Sequence, residues 1–394
     1  MEKILVLNGS HSEITLIHEL KKMGKYVITT GNLPDSFVHK YADEYIREDY
    51  SDVEAIAQIA LDKEINGVVS CANDFGIITA AYVSERMNFY GHDPYSITKL
   101  LHQKDTFKKF ALENDLMVPF SKSYVSEDDA LKDIASLSFP VIVKPSDLTG
   151  GKGVNCAWNI EEYISSIRKA FERSRKKTIV VEQYVEGTYH SLSTFLVNKK
   201  VIAYYSDNEF SNVYRYFVDT SVGPADYHED VCGLLINQAE IIAEKLNLVN
   251  GIFHMQYVLD KNKKPFIIDI ARRTSGDIYP EPIEHSTGIP WSKWTVMAEL
   301  GYDSKCFTER GKQTKICGRH CIMADKEGIV KRVVISEELV PYVYKKIQWH
   351  DKGYEVTNHT VDKLGILFYE FPDRDVMKTI ISRIKELVRV EIEN

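Results

Sequence analysis

Only six cysteines occur in 394 residues, too sparse for a disulfide framework to stand in for a hydrophobic core. No apolar run approaches the roughly 18 residues needed to span a bilayer. The opening MEKILVLNGS has no long apolar region ending at a small-residue cleavage site. These absences lead us to expect a cytoplasmic protein with no membrane partner. Positive charge is also short: 49 Lys and Arg face 57 Asp and Glu, a formal net charge of −8. That argues against a nucleic-acid partner, which calls for basic stripes, and leaves room only for a local basic groove. Two phosphate-binding patterns are missing as well. There is no G-x-G-x-x-G for a dinucleotide and no G-x-x-x-x-G-K-[ST] opening a helix. Cys317 and Cys321 flank His320, but no second Cys/His pair follows at zinc-ligand spacing, so ordinary buried cysteines are expected.

What is present reads as an ordinary soluble α/β protein. Hydrophobic residues make up 44% and charged residues 27%, and the length suits two to three domains. The first hundred residues alternate strand and helix. Strands at Ile4–Leu7, Tyr26–Thr29 and Gly67–Ser70 and helices up to Lys22 and near Val53–Lys63 imply a parallel sheet. Ligands in such sheets lie beyond the strand carboxyl ends. Asn8-Gly9-Ser10 and Asn73-Asp74 stand there, with Asp74 also a candidate helix N-cap.

The pattern changes near residue 100. Lys104–Asn114 reads as a helix, Phe139–Pro145 as a strand, 147–153 as a glycine-bearing loop and Val154–Trp158 as a returning strand. Ser126 and Asn159 look like caps of two further helices. Two strands follow between Ser191 and Tyr205. A long polar loop is expected over Ser206–His228, holding Tyr214, Arg215, Tyr216 and Asp219, either as a cover over a ligand or as bare surface. Cys232–Leu246 is an amphipathic helix, Ile252–Leu259 and Pro265–Ala271 are strands, and Arg374–Leu387 is a final helix.

Three segments carry chemistry. The first runs Pro140-Val-Ile-Val-Lys144-Pro145 into Gly150-Gly151-Lys152-Gly153. A strand-end lysine reaches phosphate oxygens as a point charge, and glycines let backbone N–H groups approach them. The second is Glu182-Gln183-Tyr184-Val185-Glu186-Gly187. An extended backbone there offers donors and acceptors to a purine edge, and Glu186 can accept from ribose hydroxyls. The third is a hairpin, Gly251–Asp260 and Pro265–Arg273, with its turn at Lys261–Lys264. Centred there, it sets Gln256 opposite Asp269 and gathers His254, Gln256, Asp269, Ala271 and Arg273 on one face. Oxygen ligands of this kind suit Mg²⁺, and Arg273 suits charge on a phosphoryl group.

In order and spacing these segments resemble the ATP-grasp superfamily. The likeness is to the branch with biotin carboxylase, carbamoyl phosphate synthetase and carboxylate–amine ligases, and it covers the chain to about residue 300. It implies an N-terminal parallel-sheet pre-ATP-grasp domain (1–98), an ATP-grasp domain of two α+β subdomains (99–300, lid about 121–188) and a C-terminal α+β extension (301–394). It further implies ATP with Mg²⁺, or Mn²⁺ in its place. Lys104 and Lys144 then approach phosphates under a lid loop at Gly150, Gly151, Lys152 and Gly153. Glu182, Tyr184 and Val185 form the adenine hinge, Glu186 accepts from the ribose, Gln256 and Asp269 ligate metal, and Arg273 stands beside the γ-phosphate. Lys144 and Arg273 are the catalytic pair. The implied reaction turns a carboxylate into an acyl phosphate and couples it to an amine or other nucleophile, releasing ADP and phosphate. Carboxylation through carboxyphosphate and non-catalytic nucleotide binding are the open alternatives. The partners are small-molecule acids and amines, and the resemblance implies a homodimer. The chain departs from the family at Gln256, Asp269 and Ala271, where most relatives have Glu, Glu and Asn. A single carboxylate therefore remains in the metal set, with Asp277 or another acid available to compensate.

Overall fold

The alternation of strand and helix at the start builds a four-stranded parallel sheet, in the order Glu44–Arg47, Tyr26–Gly31, Lys3–Val6, Gly67–Val69. This is a computed structural model, and it describes residues 1–148, 150–226 and 229–393. Both sheet faces are covered, which is why the inner strand Lys3–Val6 is apolar after its first residue. Ile4 and Val6 pack on one side with Leu16 and Ile17. Leu5 and Leu7 pack on the other with Ile56 and Val83. The helix Asp74–Met87 is capped by Asn73, whose side chain accepts from the Phe75 N–H at 2.9 Å. Asp74 is thus not the cap. As the first residue inside the helix, its carboxylate is left to face the next domain.

A smaller antiparallel sheet follows, ordered Ser121–Tyr124, Ile179–Gln183, Val141–Pro145, Asn155–Ala157. The helix Ile160–Arg173, capped by Asn159, buries Tyr163, Ile167 and Ala170 on it. The returning strand is shorter than expected, since Val154 still belongs to the turn, its N–H bonded to the Gly151 carbonyl.

The central element is an eight-stranded antiparallel sheet. Its order is Pro265–Ala271, Gly251–Asp260, Gly187–Val197, Lys200–Phe210, Thr220–Gly223, Ile316–Met323, Lys363–Phe371, Val343–Gln348. The last three strands come from the C-terminal region, so that region extends the same sheet. Period-two alternation divides its faces. Leu192, Leu196, Phe253 and Met255 point to a core shared with the helix Glu229–Leu246. Ser191, Ser193, Asp207, His254 and Gln256 are on the other, polar face.

Two expectations are corrected here, and the reading of Cys317 and Cys321 as ordinary buried cysteines holds. The polar stretch expected as a loop over Ser206–His228 is strand up to Phe210 and strand again over Thr220–Gly223. Asp207, Asn208 and Glu209 read as loop residues because they furnish a polar sheet face. Tyr227 and His228 lie outside the described residues. The final helix breaks into Arg374–Ile381 and Ile384–Leu387, and the strand Val388–Ile392 follows. Cys317 and Cys321 are both buried on one strand. Four residues apart along a strand places them about 13 Å from each other, too far to hold one ion. Among the described residues no helix is long and apolar enough to cross a membrane.

Candidate active site

A cavity of ≈ 960 Å³ opens between the small sheet and the polar face of the large one. Its size is that of a small-molecule or cofactor cleft. Lys104, Lys144, Gly150, Gly151, Lys152, Glu182, Tyr184, Val185, Gln256 and Asp269 line it. Glu186 is exposed at the rim between Val185 and Gly187. Gly153 turns toward Pro145 and Arg173 instead.

The lysines are held in place by carboxylates and backbone carbonyls. Lys104 opens the helix Lys104–Glu113. Its Nζ donates to the Leu148 carbonyl at 3.0 Å and lies 3.3 Å from Asp269 Oδ2. Lys144 comes from the strand Val141–Pro145 and lies 2.9 Å from Glu182 Oε2. The other oxygen of Glu182 is 3.2 Å from Nζ of Lys108, which also donates to the Ile267 carbonyl at 3.0 Å. Glu182 is only 3% exposed and takes one lysine on each oxygen. Burial alone would raise its pKa, but Lys108 and Lys144 outweigh burial and hold it below the ordinary value. Lys108 is pushed down to about 8, chiefly by burial. Burial would also lower Lys104, yet Asp269 and Asp74 leave it raised.

The hairpin has the expected register at its functional end: Gln256 pairs with Asp269 and His254 with Ala271. A bulge lies between Gln256 and Tyr257 on the turn side. Asp269 Oδ1 accepts from the Ile270 N–H at 3.1 Å, while Oδ2 faces Lys104. Burial works against its ionisation, but Lys104 prevails and holds the carboxyl below its usual range. Gln256 Nε2 donates to both oxygens of Glu209, at 3.0 and 2.9 Å. Glu209 also lines the cavity. Burial, with Asp207 beside it, pushes Glu209 up to about 8. His254 is buried, driven down to about 3 by desolvation, and bonded through Nδ1 to Ser193 Oγ at 2.6 Å. It is neutral and lies outside the cavity lining.

Arg273 does not line the cavity. Its Nε donates to Asp74 Oδ1 at 2.7 Å, its third guanidinium nitrogen is 2.7 Å from the same oxygen, and one further N–H meets the Thr274 carbonyl. His102 reaches that oxygen too, 3.1 Å from Nδ1, while its Nε2 accepts from the Arg272 N–H at 3.2 Å. Burial opposes charge on Asp74, but Arg273 and then His102 hold it well below the carboxylate range. Asp277 is unavailable to the metal set. It is held by Arg319 at 3.1 Å, by Lys363 and by His11.

The segment 211–219 reaches the cavity through Arg215 and Tyr216, whereas Tyr214 is exposed. Asp219 fastens its base, accepting from the N–H groups of Asn212 and Val213. Sequence reasoning missed Lys108 and Glu209. Lys108 had a signal, since it lies four residues after Lys104 and so on the same helix face. Glu209 had none, because its strand read as loop.

Comparison with known proteins follows from this geometry. Residues 103–304 match the family described as "Carbamoyl-phosphate synthase L chain, ATP binding domain". The match spans just over half of the chain. The chain belongs to this family. A relative described as the C-terminal section of the carbamoyl phosphate synthase large chain of Methanocaldococcus jannaschii is 20% identical over 343 residues, covering 84% of this chain and 55% of that protein. The chain thus spans about half the length of that curated relative. Among solved structures, an L-amino acid ligase from Bacillus licheniformis superposes with a TM-score of 0.83 at 17% identity, covering 100% of this chain and 99% of that one. A phosphoribosylglycinamide synthetase from Anaerococcus prevotii gives 0.78 at 19% identity, with 100% of both covered. These likenesses show that the whole chain shares the fold of those two proteins.

Proposed function

We propose that this family member is an ATP- and Mg²⁺-dependent ligase that activates a carboxylate as an acyl phosphate and couples it to an amine. One observation carries the reading: Lys104 and Lys144, from different segments, converge on a cavity whose floor is Gln256 and Asp269. Cations for a polyphosphate thus lie next to oxygen donors for a divalent ion. Among the described residues no three His, Cys, Asp or Glu side chains form a metal cluster. That fits Mg²⁺, which is commonly held by one or two carboxylates together with substrate phosphates and water. Asp269 and the oxygen of Gln256 would hold it, and when bound it neutralises phosphate oxygens.

The residues themselves do the following. Lys104 and Lys144 bind phosphate oxygens, and Glu182 keeps Lys144 extended toward the cavity. Tyr184 and Val185 give the adenine edge a wall, and Glu186 at the rim accepts from ribose. Gly150, Gly151 and Lys152 cover the phosphates, and Gly153 closes the turn behind them. Arg273 lies outside the cavity lining, held on Asp74, and among the described residues three of its five N–H donors are engaged. The other two would serve charge building on the transferring phosphoryl group once the side chain reaches the bound nucleotide. The substrate carboxylate oxygen bonds to the γ-phosphorus as the bridging P–O bond breaks and ADP leaves. The amine nitrogen then bonds to the acyl carbon, and phosphate leaves with the amine's proton. Positioning and electrostatics supply the acceleration.

The test is a pool of carboxylic acids and amines supplied with ATP and Mg²⁺, read by ADP release and product mass. ADP release that needs both an acid and an amine supports ligation. Tight ATP binding with no turnover for any pair overturns it.

A further inference from the structure

The metal set predicted for the hairpin holds one carboxylate and one amide. An amide is an ambiguous ligand, because rotating it by half a turn replaces an oxygen with an N–H₂ group that repels a cation. Something has to settle which end faces the ion. Among the described residues the only side-chain hydrogen bonds of Gln256 run from Nε2 to the two oxygens of Glu209, and Oε1 accepts none. Both oxygens of Glu209 take the amide nitrogen here, the arrangement an acceptor-only carboxylate requires. The amide nitrogen is therefore drawn toward Glu209, and the oxygen is left free in a cavity that Asp269 also lines.

The sheet explains how the two side chains meet. Gln256 pairs with Ser191 on the neighbouring strand, and Ser191 pairs with Asp207 on the next. Glu209 is two residues beyond Asp207 and so shares its face. The intervening side chain is a serine whose hydroxyl turns to Asp207 Oδ1 at 2.5 Å. A larger residue at 191 would stand between Glu209 and Gln256.

We propose that Glu209 is a positioning residue for the cation site, orienting Gln256 so that its amide oxygen faces the ion beside Asp269. This rests on the nucleotide-and-metal reading given above. Partners that orient metal ligands are typically worth about 10–100-fold in metal affinity.

The experiment uses the full chain, ADP and Mn²⁺, with bound Mn²⁺ measured by electron paramagnetic resonance and metal-free ADP affinity by calorimetry. Glu209→Gln should weaken Mn²⁺ binding by about tenfold or more. Gln256→Ala removes the ligand itself and should weaken it at least as far. The double variant Glu209→Gln with Gln256→Ala should bind no more weakly than Gln256→Ala alone, because Glu209 acts only through Gln256. Unchanged far-ultraviolet circular dichroism and melting temperature certify the folding of each variant. Unchanged Mn²⁺ binding in Glu209→Gln overturns the proposal. So does a double variant that binds clearly more weakly than Gln256→Ala alone. Failure of the wild-type chain to bind ADP would instead remove the nucleotide reading, and this inference with it.

Discussion

Arg273 Nε lies 2.7 Å from Asp74 Oδ1, so the arginine assigned to the phosphoryl end of the site is tethered to the first helix-borne acid beyond the N-terminal sheet. The N-terminal domain therefore participates in the site through one carboxylate. His102 is wedged against the same oxygen with a fixed tautomer. Its Nε2 accepts from the Arg272 backbone, which leaves the proton on Nδ1 for Asp74.

Removing Arg273 should separate two effects. Arg273→Ala is expected to abolish turnover and spare ATP binding. It also strands a buried carboxylate, which should cost roughly 3 kcal/mol in urea unfolding. Adding Asp74→Asn should recover much of that stability without recovering turnover. Retained turnover in Arg273→Ala removes it from the catalytic set. A double variant no more stable than the single one shows that the ion pair is not what anchors this junction.

The two lysines on Glu182 should behave differently. Lys144→Met takes away a cavity-lining cation and should weaken ATP binding about tenfold or more, as losing a charge-assisted bond does. Lys108→Met, away from the cavity wall, should weaken ATP less while lowering stability, because Glu182 loses one of its two cations. Equal losses of ATP affinity would mean that Lys108 also touches phosphate.

The glycine loop offers a matched pair. Gly150 and Gly151 both have left-handed φ, +63° and +70°. A Cβ on Gly150 meets open space, whereas one on Gly151 lands 2.1 Å from the Tyr216 carbonyl oxygen. Gly150→Ala should cost only backbone strain, about 1 kcal/mol. Gly151→Ala should displace the loop and lower ATP affinity further. Identical affinities would show that the contact with Tyr216 has no part in nucleotide binding.

Glu13 gives a pH prediction. It is fully buried, and desolvation raises its pKa from 4.5 to about 7 despite hydrogen bonds from Ser10 and the Ala72 N–H. A folded pKa above the unfolded one means that the folded state holds the proton more tightly. Its contribution is full below pH 4.5 and is lost as pH rises to about 7, on the order of 3 kcal/mol. Glu13→Gln should flatten that fall, so its gain in melting temperature over wild type is larger at pH 8 than at pH 4.5. An equal gain at both pH values would refute the assignment.

The hairpin was legible because its turn residues fixed the register. Lys261–Lys264 centred the loop, and Gln256 met Asp269 as the pairing rule requires. The bulge at Gln256/Tyr257 was not legible, yet it lies on the turn side and leaves the functional pair intact. The strand Lys200–Phe210 was lost at its end, since Ser206-Asp207-Asn208-Glu209 carries no alternation of apolar residues. Half of that segment faces a polar cavity floor, so its sequence obeys the site and not the core. The partner of Arg273 was hidden for another reason. Asp74 is 199 residues away, and a local reading sees only its helix. The clustering of Asp277 with Arg319, Lys363 and His11 is likewise a product of long-range packing.

The Tyr216 carbonyl sits where a side chain on Gly151 would be, and Tyr216 belongs to a segment whose base is pinned by Asp219 to the central sheet. The phosphate cover and the 211–219 segment thus share a single seam. At Gly151 and Tyr216 the two are close enough that a Cβ would not fit between them. Spent nucleotide and finished product would leave through one coordinated opening, and a catalytic cycle built this way counts one gate where two loops are drawn.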